Sequence, residues 1–193
     1  MSEAPSWPRR RATTRFVIRA LGAGDGARLR EAVVGSVPHL APVIPWARSD
    51  LTVAEAEHWA RVAWLRYRQG VDFALGIFSV GGRRLLGGAS FHCVARSPED
   101  GELVAEIGLW ISAGDAGAGL GTEVLRALVC WGLTDWPWTR LLWRCAASNS
   151  ASRRCAEKAG LRLVVGDGEA ATGADGAAGV GEHLLCFEAR RGE

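Results

Sequence analysis

The chain has 193 residues, 48% of them hydrophobic, with 23 basic against 21 acidic side chains and a formal net charge of +2. That length fills one good core but not two ordinary domains, and the balanced charge gives no reason to expect a nucleic-acid partner. No apolar run nears the roughly 18 residues of a membrane span, and the N-terminus lacks a hydrophobic signal core, so a cytoplasmic protein without a membrane partner is expected.

The five cysteines (Cys93, Cys130, Cys145, Cys155 and Cys186) contain no CxxC pair, and several lie in apolar runs. They read as buried free thiols in a reducing compartment, with no metal. In chain order, residues 1–14 hold Pro5, Pro8 and Arg9 to Arg11 and read as a disordered basic tail ahead of a folded domain over 15–193. Alternation predicts a strand at 15–19, and Asp25 can cap a helix over 27–34. Residues 38–46, with three prolines, look too constrained for regular structure. Thr52 and Glu55 form a capping box for a helix over 53–69. Strands follow at 71–80, 84–94 and 102–112, joined by a Gly81-Gly82 turn and a polar turn at 96–101. His92, inside the second of these, reads as a satisfied half-buried histidine rather than a catalytic base. Trp131, Trp136 and Trp138 have apolar neighbours and read as core. A strand at 140–146 leads to a helix over 149–160, capped at Asn149 or Ser150 and stopped at Gly160. Its periodicity puts Ala151, Cys155 and Ala159 on the buried stripe, with Ser152 and Arg153 facing elsewhere. Residues 166–181 are almost all Gly, Ala, Asp and Glu and read as a mobile loop before a last strand at 183–189.

The strand at 102–112 is the one to which the chemistry attaches. Leu103, Ala105, Ile107, Leu109 and Ile111 share one face and Val104, Gly108 and Trp110 the other, so the strand is central, with Glu106 as its single interior carboxylate. The turn behind it, 113–121, has four glycines in nine residues and opens an amphipathic helix. Unpaired N–H groups at such a helix start suit a phosphate or pyrophosphate. A Walker loop is excluded, since the only lysine is Lys158, and the spacing of Gly117, Gly119 and Gly121 does not match a dinucleotide fingerprint.

Residues 105–132, AEIGLWISAGDAGAGLGTEVLRALVCWG, resemble the acyl-coenzyme A binding segment of the GNAT superfamily of N-acyltransferases. The stretch Asn149-Ser-Ala-Ser-Arg-Arg-Cys-Ala-Glu-Lys-Ala-Gly160 is similar to the branch of ribosomal-protein N-terminal acetyltransferases. The resemblance runs from about 14 to 165. It implies a single α/β (α+β) domain, with a mixed, mostly antiparallel sheet of about seven strands flanked by about four helices. It also implies acetyl-CoA as co-substrate along Trp110 and Ile111, over Ala116, Gly117, Ala118 and Gly119, and at Leu120, Gly121 and Thr122. Asn149 would hold the pantetheine arm, Ser152 would lie near the thioester sulfur, and Arg153 or Arg154 would approach the phosphates. The two helices after the first strand would wall the acceptor cleft, which makes His39 and Trp46 candidates for substrate contact. One departure stands out: the family's R-G-R-G is Ala116-Gly-Ala-Gly119 here, so two cationic contacts are missing.

Acyl transfer to an amine needs a proton acceptor, an N–H for the carbonyl oxygen and a group at the leaving sulfur. Glu106 is the candidate base, its acid form favoured by desolvation, with an N–H near Ile111 and Ser152 in the other two roles. A buried pairing of Glu106 with an arginine such as Arg84 would be its purely structural alternative. No cysteine has a histidine signature beside it, so direct transfer in a ternary complex is expected over an acyl-enzyme. Two readings stand: an acetyl-CoA-dependent N-acetyltransferase, monomeric or homodimeric, acting on a peptide α-amine or small amine, or a catalytically silent module of the same fold.

Overall fold

The computed structural model describes residues 7–98, 100–164 and 184–192. In chain order these form β1 (Arg10–Ala12), β2 (Phe16–Ala20), α1 (Gly26–Val34), α2 (Val37–Leu40), α3 (Val53–Gln69), β3 (Phe73–Ser79), β4 (Leu85–Arg96) and β5 (Leu103–Ile111). A 3-10 turn at Ala113–Asp115, α4 (Leu120–Thr134), β6 (Arg140–Ala146), α5 (Ser150–Ala159), β7 (Arg162–Val164) and β8 (Leu184–Arg190) complete the set. The strands form one sheet in the order β1-β2-β3-β4-β5-β6-β8-β7. Every neighbouring pair is antiparallel except β5 and β6, which are parallel. The mixed, mostly antiparallel architecture is the expected one, with one strand and one helix more than the sequence implies.

Alternation sorts the sheet into two faces. On one, Ala105 and Ile107 of β5, Leu141 and Trp143 of β6 and Phe187 of β8 pack under Val124, Leu125, Leu128 and Trp131 of α4 and Ala156 of α5. On the other, Leu29, Ala32 and Val33 of α1 and Ala56 of α3 cover Phe78 and Leu85, with Trp110 at the margin. Farther along that second face, β5, β6 and β8 carry Glu106, Arg144, Arg140 and Glu188 in ion pairs instead of an apolar surface.

Local chemistry explains most boundaries. The Thr52–Glu55 capping box forms on both sides and α3 ends at Gly70 in the left-handed region. Asn149 caps α5, and Gly160, at φ 90°, stops it. Trp131, Trp136 and Trp138 are all buried, as their neighbours imply.

Four expectations are corrected. Pro38 sits in the first turn of α2, where a missing N–H costs nothing, so the proline stretch begins as a helix. Residues 7–14 are not a solvated tail: β1 pairs with β2, and Trp7 packs 4.9 Å from Phe73 and stacks on Trp136 and Trp138. On α5, Ala151 is exposed, and the sheet-facing stripe is Ser152, Cys155, Ala156 and Ala159. Among the described free thiols Cys145 is buried, Cys155 and Cys186 are half-buried, and Cys130 is exposed. The stretch 166–181 lies outside the described residues. No helix among the described residues is long and apolar enough to cross a membrane.

Candidate active site at the parting of two parallel strands

Registered pairs between β5 and β6 run Val104–Arg140, Ala105–Leu141 and Glu106–Leu142, and then stop. Beyond that point each strand keeps its outer partner. β5 stays paired with β4 up to Ile111–Gly87, and β6 with β8 up to Ala146–Leu184. The strands therefore open into a gap at their C-terminal ends, with α4 starting above one edge and α5 above the other. Backbone direction follows from two bonds: Ser112 N–H donates to Leu86 of β4, whereas the Leu103 carbonyl accepts from Thr139 on the β6 side. By alternation the polar backbone groups of Ile107, Leu109 and Ile111 face the gap.

The glycine turn forms the upper rim. Ala116, Gly117, Ala118 and Gly119 are exposed. Gly117 and Gly119 have φ of 83° and 82°, which an L side chain adopts only at a cost, and the space a Cβ would enter is open at both. Gly119 starts α4 without a side-chain cap, and the first helical bond is Glu123 N–H to the Gly119 carbonyl at 3.2 Å. The N–H groups of Leu120, Gly121 and Thr122 thus have no acceptor within the helix. The Leu120 side chain is buried and the Thr122 hydroxyl turns to the Cys155 thiol, so these two offer backbone rather than side chains to a ligand. Gly121 lies against Ile111 and Cys155, with 3.6 and 3.8 Å to where its Cβ would be, which locks α4 to the end of β5 and to α5.

At the opposite edge the Asn149 side-chain oxygen accepts from Ser152 N–H at 3.0 Å, and its amide nitrogen carries the remaining donors. The Trp143 indole donates to Ser152 Oγ at 3.1 Å, which fixes that hydroxyl on the sheet-facing side of α5, beside Cys145. Arg153 is exposed and reaches the Ala147 carbonyl.

Glu106 lies where the strands part and is 8% exposed. Arg144, two residues beyond Leu142 on β6, bonds to its Oε2, and His92 Nε2 faces Oε1 at 3.7 Å. Burial alone would raise the pKa, but His92 and Arg144 outweigh it and hold the carboxyl below the usual range. The expected raised pKa is therefore corrected: Glu106 is a stabilised carboxylate. Arg84, considered above as its partner, pairs with Asp115 in the turn at 2.6 Å. Ser90 Oγ and His92 Nδ1 are 3.0 Å apart on the same face, so Ser90, His92, Glu106 and Arg144 form one polar chain across three strands.

Trp110 sits on this face too, its indole lying across Gly88, where a Cβ would come within 2.4 Å of Nε1. Trp46 approaches it edge-on at 6.2 Å and lies 5.5 Å from Trp59 of α3, both with more than a third of their surface exposed. The structure thus brings Trp46 to the site. His39 is exposed on α2, whose leading residue Ser36 accepts from Ala113 N–H at 2.9 Å; no described contact joins His39 to Glu106 or Trp110. Sequence reasoning missed Arg144 and the Ser90–His92 pair. The alternation of β4 placed Ser90 and His92 on one face, but only the β4–β5 register sets that face beside Glu106.

An open sheet parted between two parallel strands, with an uncapped glycine-rich helix start on one rim and a carboxylate at the vertex, is the architecture of an acyl-transfer fold. Residues 15–162 match the acetyltransferase (GNAT) domain family, and the chain belongs to that family of acyl-CoA-dependent acetyltransferases. Among solved structures, RimL, a ribosomal-protein alpha-N-acetyltransferase in complex with coenzyme A, is 19% identical with a TM-score of 0.75, covering 93% of this chain and 96% of its own. A putative ribosomal-protein-serine acetyltransferase from Vibrio cholerae is 20% identical at TM-score 0.75, covering 94% and 97%. The microcin C7 self-immunity acetyltransferase MccE, in complex with acetyl-CoA and AMP, is 15% identical at 0.75, covering 92% and 93%. No curated protein sequence matches.

Proposed function

We propose that the chain moves an acetyl group from acetyl-CoA to a primary amine, a protein N-terminal α-amine or a small-molecule amine, by direct transfer with both substrates bound. The observation that carries this is the gap itself: open helix N–H groups above, free strand edges along its walls, and Glu106 at its vertex. Acetyl-CoA, as bound by MccE, supplies the thioester. The residues fit it: the turn Ala116-Gly-Ala-Gly119 and the N–H groups of Leu120, Gly121 and Thr122 would hold the phosphates, while Trp110, Ile111 and Asn149 would line the arm. The Ile111 N–H, directed into the gap, would serve the carbonyl oxygen. Ser152, steadied by Trp143, would meet the leaving sulfur, and Arg153, exposed in the first turn of α5, would assist at the phosphates.

Direct transfer is favoured over a cysteine acyl-enzyme because burial pushes the thiols of Cys145, Cys155 and Cys186 up, away from the thiolate a nucleophile needs. The acceptor would enter over Trp46 and Trp110, next to Glu106, with His39 on the rim. RimL acetylates a ribosomal protein's α-amine, which makes a peptide terminus the first acceptor to try.

A silent module remains the competing reading, favoured by the missing arginines at 116 and 118 and by the engagement of Arg84 with Asp115. Melting temperature with and without acetyl-CoA separates the two, with desulfo-coenzyme A and ATP as controls. A rise with both coenzyme A compounds and none with ATP supports the enzyme; no rise at millimolar ligand supports the silent module. Glu106→Gln should then lower turnover, with acetyl-CoA binding nearly unchanged.

A further inference from the structure

We propose that the proton leaving the acceptor amine passes through Ser90 to His92, with Glu106 as the positioning carboxylate that orients and steadies the imidazole ring. The inference rests on the N-acetyltransferase reading and names its proton acceptor.

Three observations converge on it. The first is connectivity. Ser90 Oγ is 3.0 Å from His92 Nδ1, and Nε2 on the other side of the ring faces Glu106 Oε1 at 3.7 Å. A proton on Nε2, directed at the carboxylate, leaves Nδ1 as the acceptor turned to the serine. The second is room. A Cβ at Gly108 would stand 2.7 Å from Ser90 Oγ and 3.2 Å from His92 Cε1, so only glycine lets the serine and the ring lie against β5 beside the vertex of the gap. The third is placement. The β4–β5 register shifts between His92 and Ala95, a bulge directly after the histidine, and such irregularities re-aim side chains beside active sites. The ring is 15% exposed at its side chain, shielded but reachable.

Glu106 is also poorly suited to be the base itself. Its carboxyl is held below the usual range, whereas a base works best with a pKa near the working pH, the natural territory of imidazole. The groups around the ring support this division. Glu106 faces it from β5. Arg144 of β6 is bonded to Glu106, with Cys186 of β8 beyond it. Asp72, one register step past the Phe73–Phe91 pair on β3, lies 3.8 Å from Arg66 and belongs to that pair.

The step balances. The ammonium acceptor gives a proton to Ser90 Oγ as Ser90 passes its own to Nδ1. The nitrogen–carbon bond then forms, the carbon–sulfur bond breaks, and the nitrogen's second proton is matched by the one the leaving sulfur takes up. The products are an amide, a thiol and one proton, returned from His92 to solvent.

The test joins kinetics with a readout that needs no acetyl-CoA. In the wild type, kcat/KM should fall on the acid side through a single ionisation. His92→Gln should lose about 100-fold and flatten that limb, with the acetyl-CoA melting shift intact. Ser90→Ala should lose about tenfold and keep the limb, because His92 remains. Glu106→Gln should move the limb to lower pH, since the imidazolium loses its anionic neighbour. Nitrogen NMR of the ligand-free protein should show neutral His92 protonated on Nε2 and titrating with the kinetic limb. A proton on Nδ1, or wild-type turnover and pH profile in His92→Gln, overturns the relay. If His92→Gln does not fold, the wild-type NMR titration decides. Absence of transfer and of any melting shift in the wild type would instead defeat the underlying reading.

Discussion

The two helices that start beside the gap are built in opposite ways. α4 begins on a left-handed glycine with no side-chain cap, leaving three N–H groups for something outside the chain. α5 begins on Asn149, whose side-chain oxygen accepts from Ser152 N–H at 3.0 Å. One terminus satisfies itself and the other does not. A polar residue at a helix start is therefore weak evidence for a ligand, and its absence behind a rigid, glycine-held turn is the stronger sign.

Substitutions at the two starts should separate them. Gly119→Val forces a branched side chain into the left-handed region, worth about 1–2 kcal/mol of strain, and should abolish the acetyl-CoA melting shift, the largest effect here. Asn149→Ala removes a cap worth about 1 kcal/mol, so the melting temperature, read by calorimetry, should fall by about 2–4 °C for a chain of this size. Ala116→Arg with Ala118→Arg should sharpen the contrast by adding charge at the open terminus. Each arginine is worth about 0.2–1 kcal/mol there, a gain that should shrink from 20 mM to about 300 mM salt. The smallest effect concerns α3, capped by a charged box. Its Glu55 ionises at about 2 instead of 4.5, its hydrogen bonds from Thr52 and from Arg48 favouring the carboxylate. A lowered folded pKa gives stability that is complete above the ordinary value and lost as pH falls towards the folded one. Between pH 4.5 and about 2 the α3 cap should open, as seen in the Glu55 amide shift, while the neutral Asn149 cap stays closed.

Elements carrying their own signals were legible. The Thr52–Glu55 box gave the start of α3, Asn149 and Gly160 gave α5, and apolar alternation with a strand-to-glycine transition found β5 and its turn. What failed was information held by register. Glu106 meets Arg144 because β6 lies parallel to β5, 36 residues apart in the pairing Glu106–Leu142, and no local pattern reports that crossover. Arg84 was nearer in the chain and directly precedes a strand that does pair with β5, yet it reaches the turn instead. Burial was read correctly for Glu106, but its sign on the pKa was decided by two partners that only the folded sheet supplies. The α5 stripe was misphased by one residue at its start, enough to turn Ser152 from the outer side to the sheet side. Pro38 read as a break because its position within the first helical turn is visible only once the helix is known.

The amino-terminal segment has a practical consequence. The family match begins at residue 15, and a shortened chain starting there would look like a tidy domain. It would lose Trp7, which lies between Phe73 and the Trp136–Trp138 stack, the Pro8 carbonyl that accepts from the Tyr67 hydroxyl, and the Arg9 guanidinium 5.3 Å over Trp64. It would also strip β2 of its outer neighbour and bare a longer sheet edge for other chains to join. Trimming at the family boundary should lower the melting temperature and favour aggregation, so the residues that look most dispensable are the ones to retain.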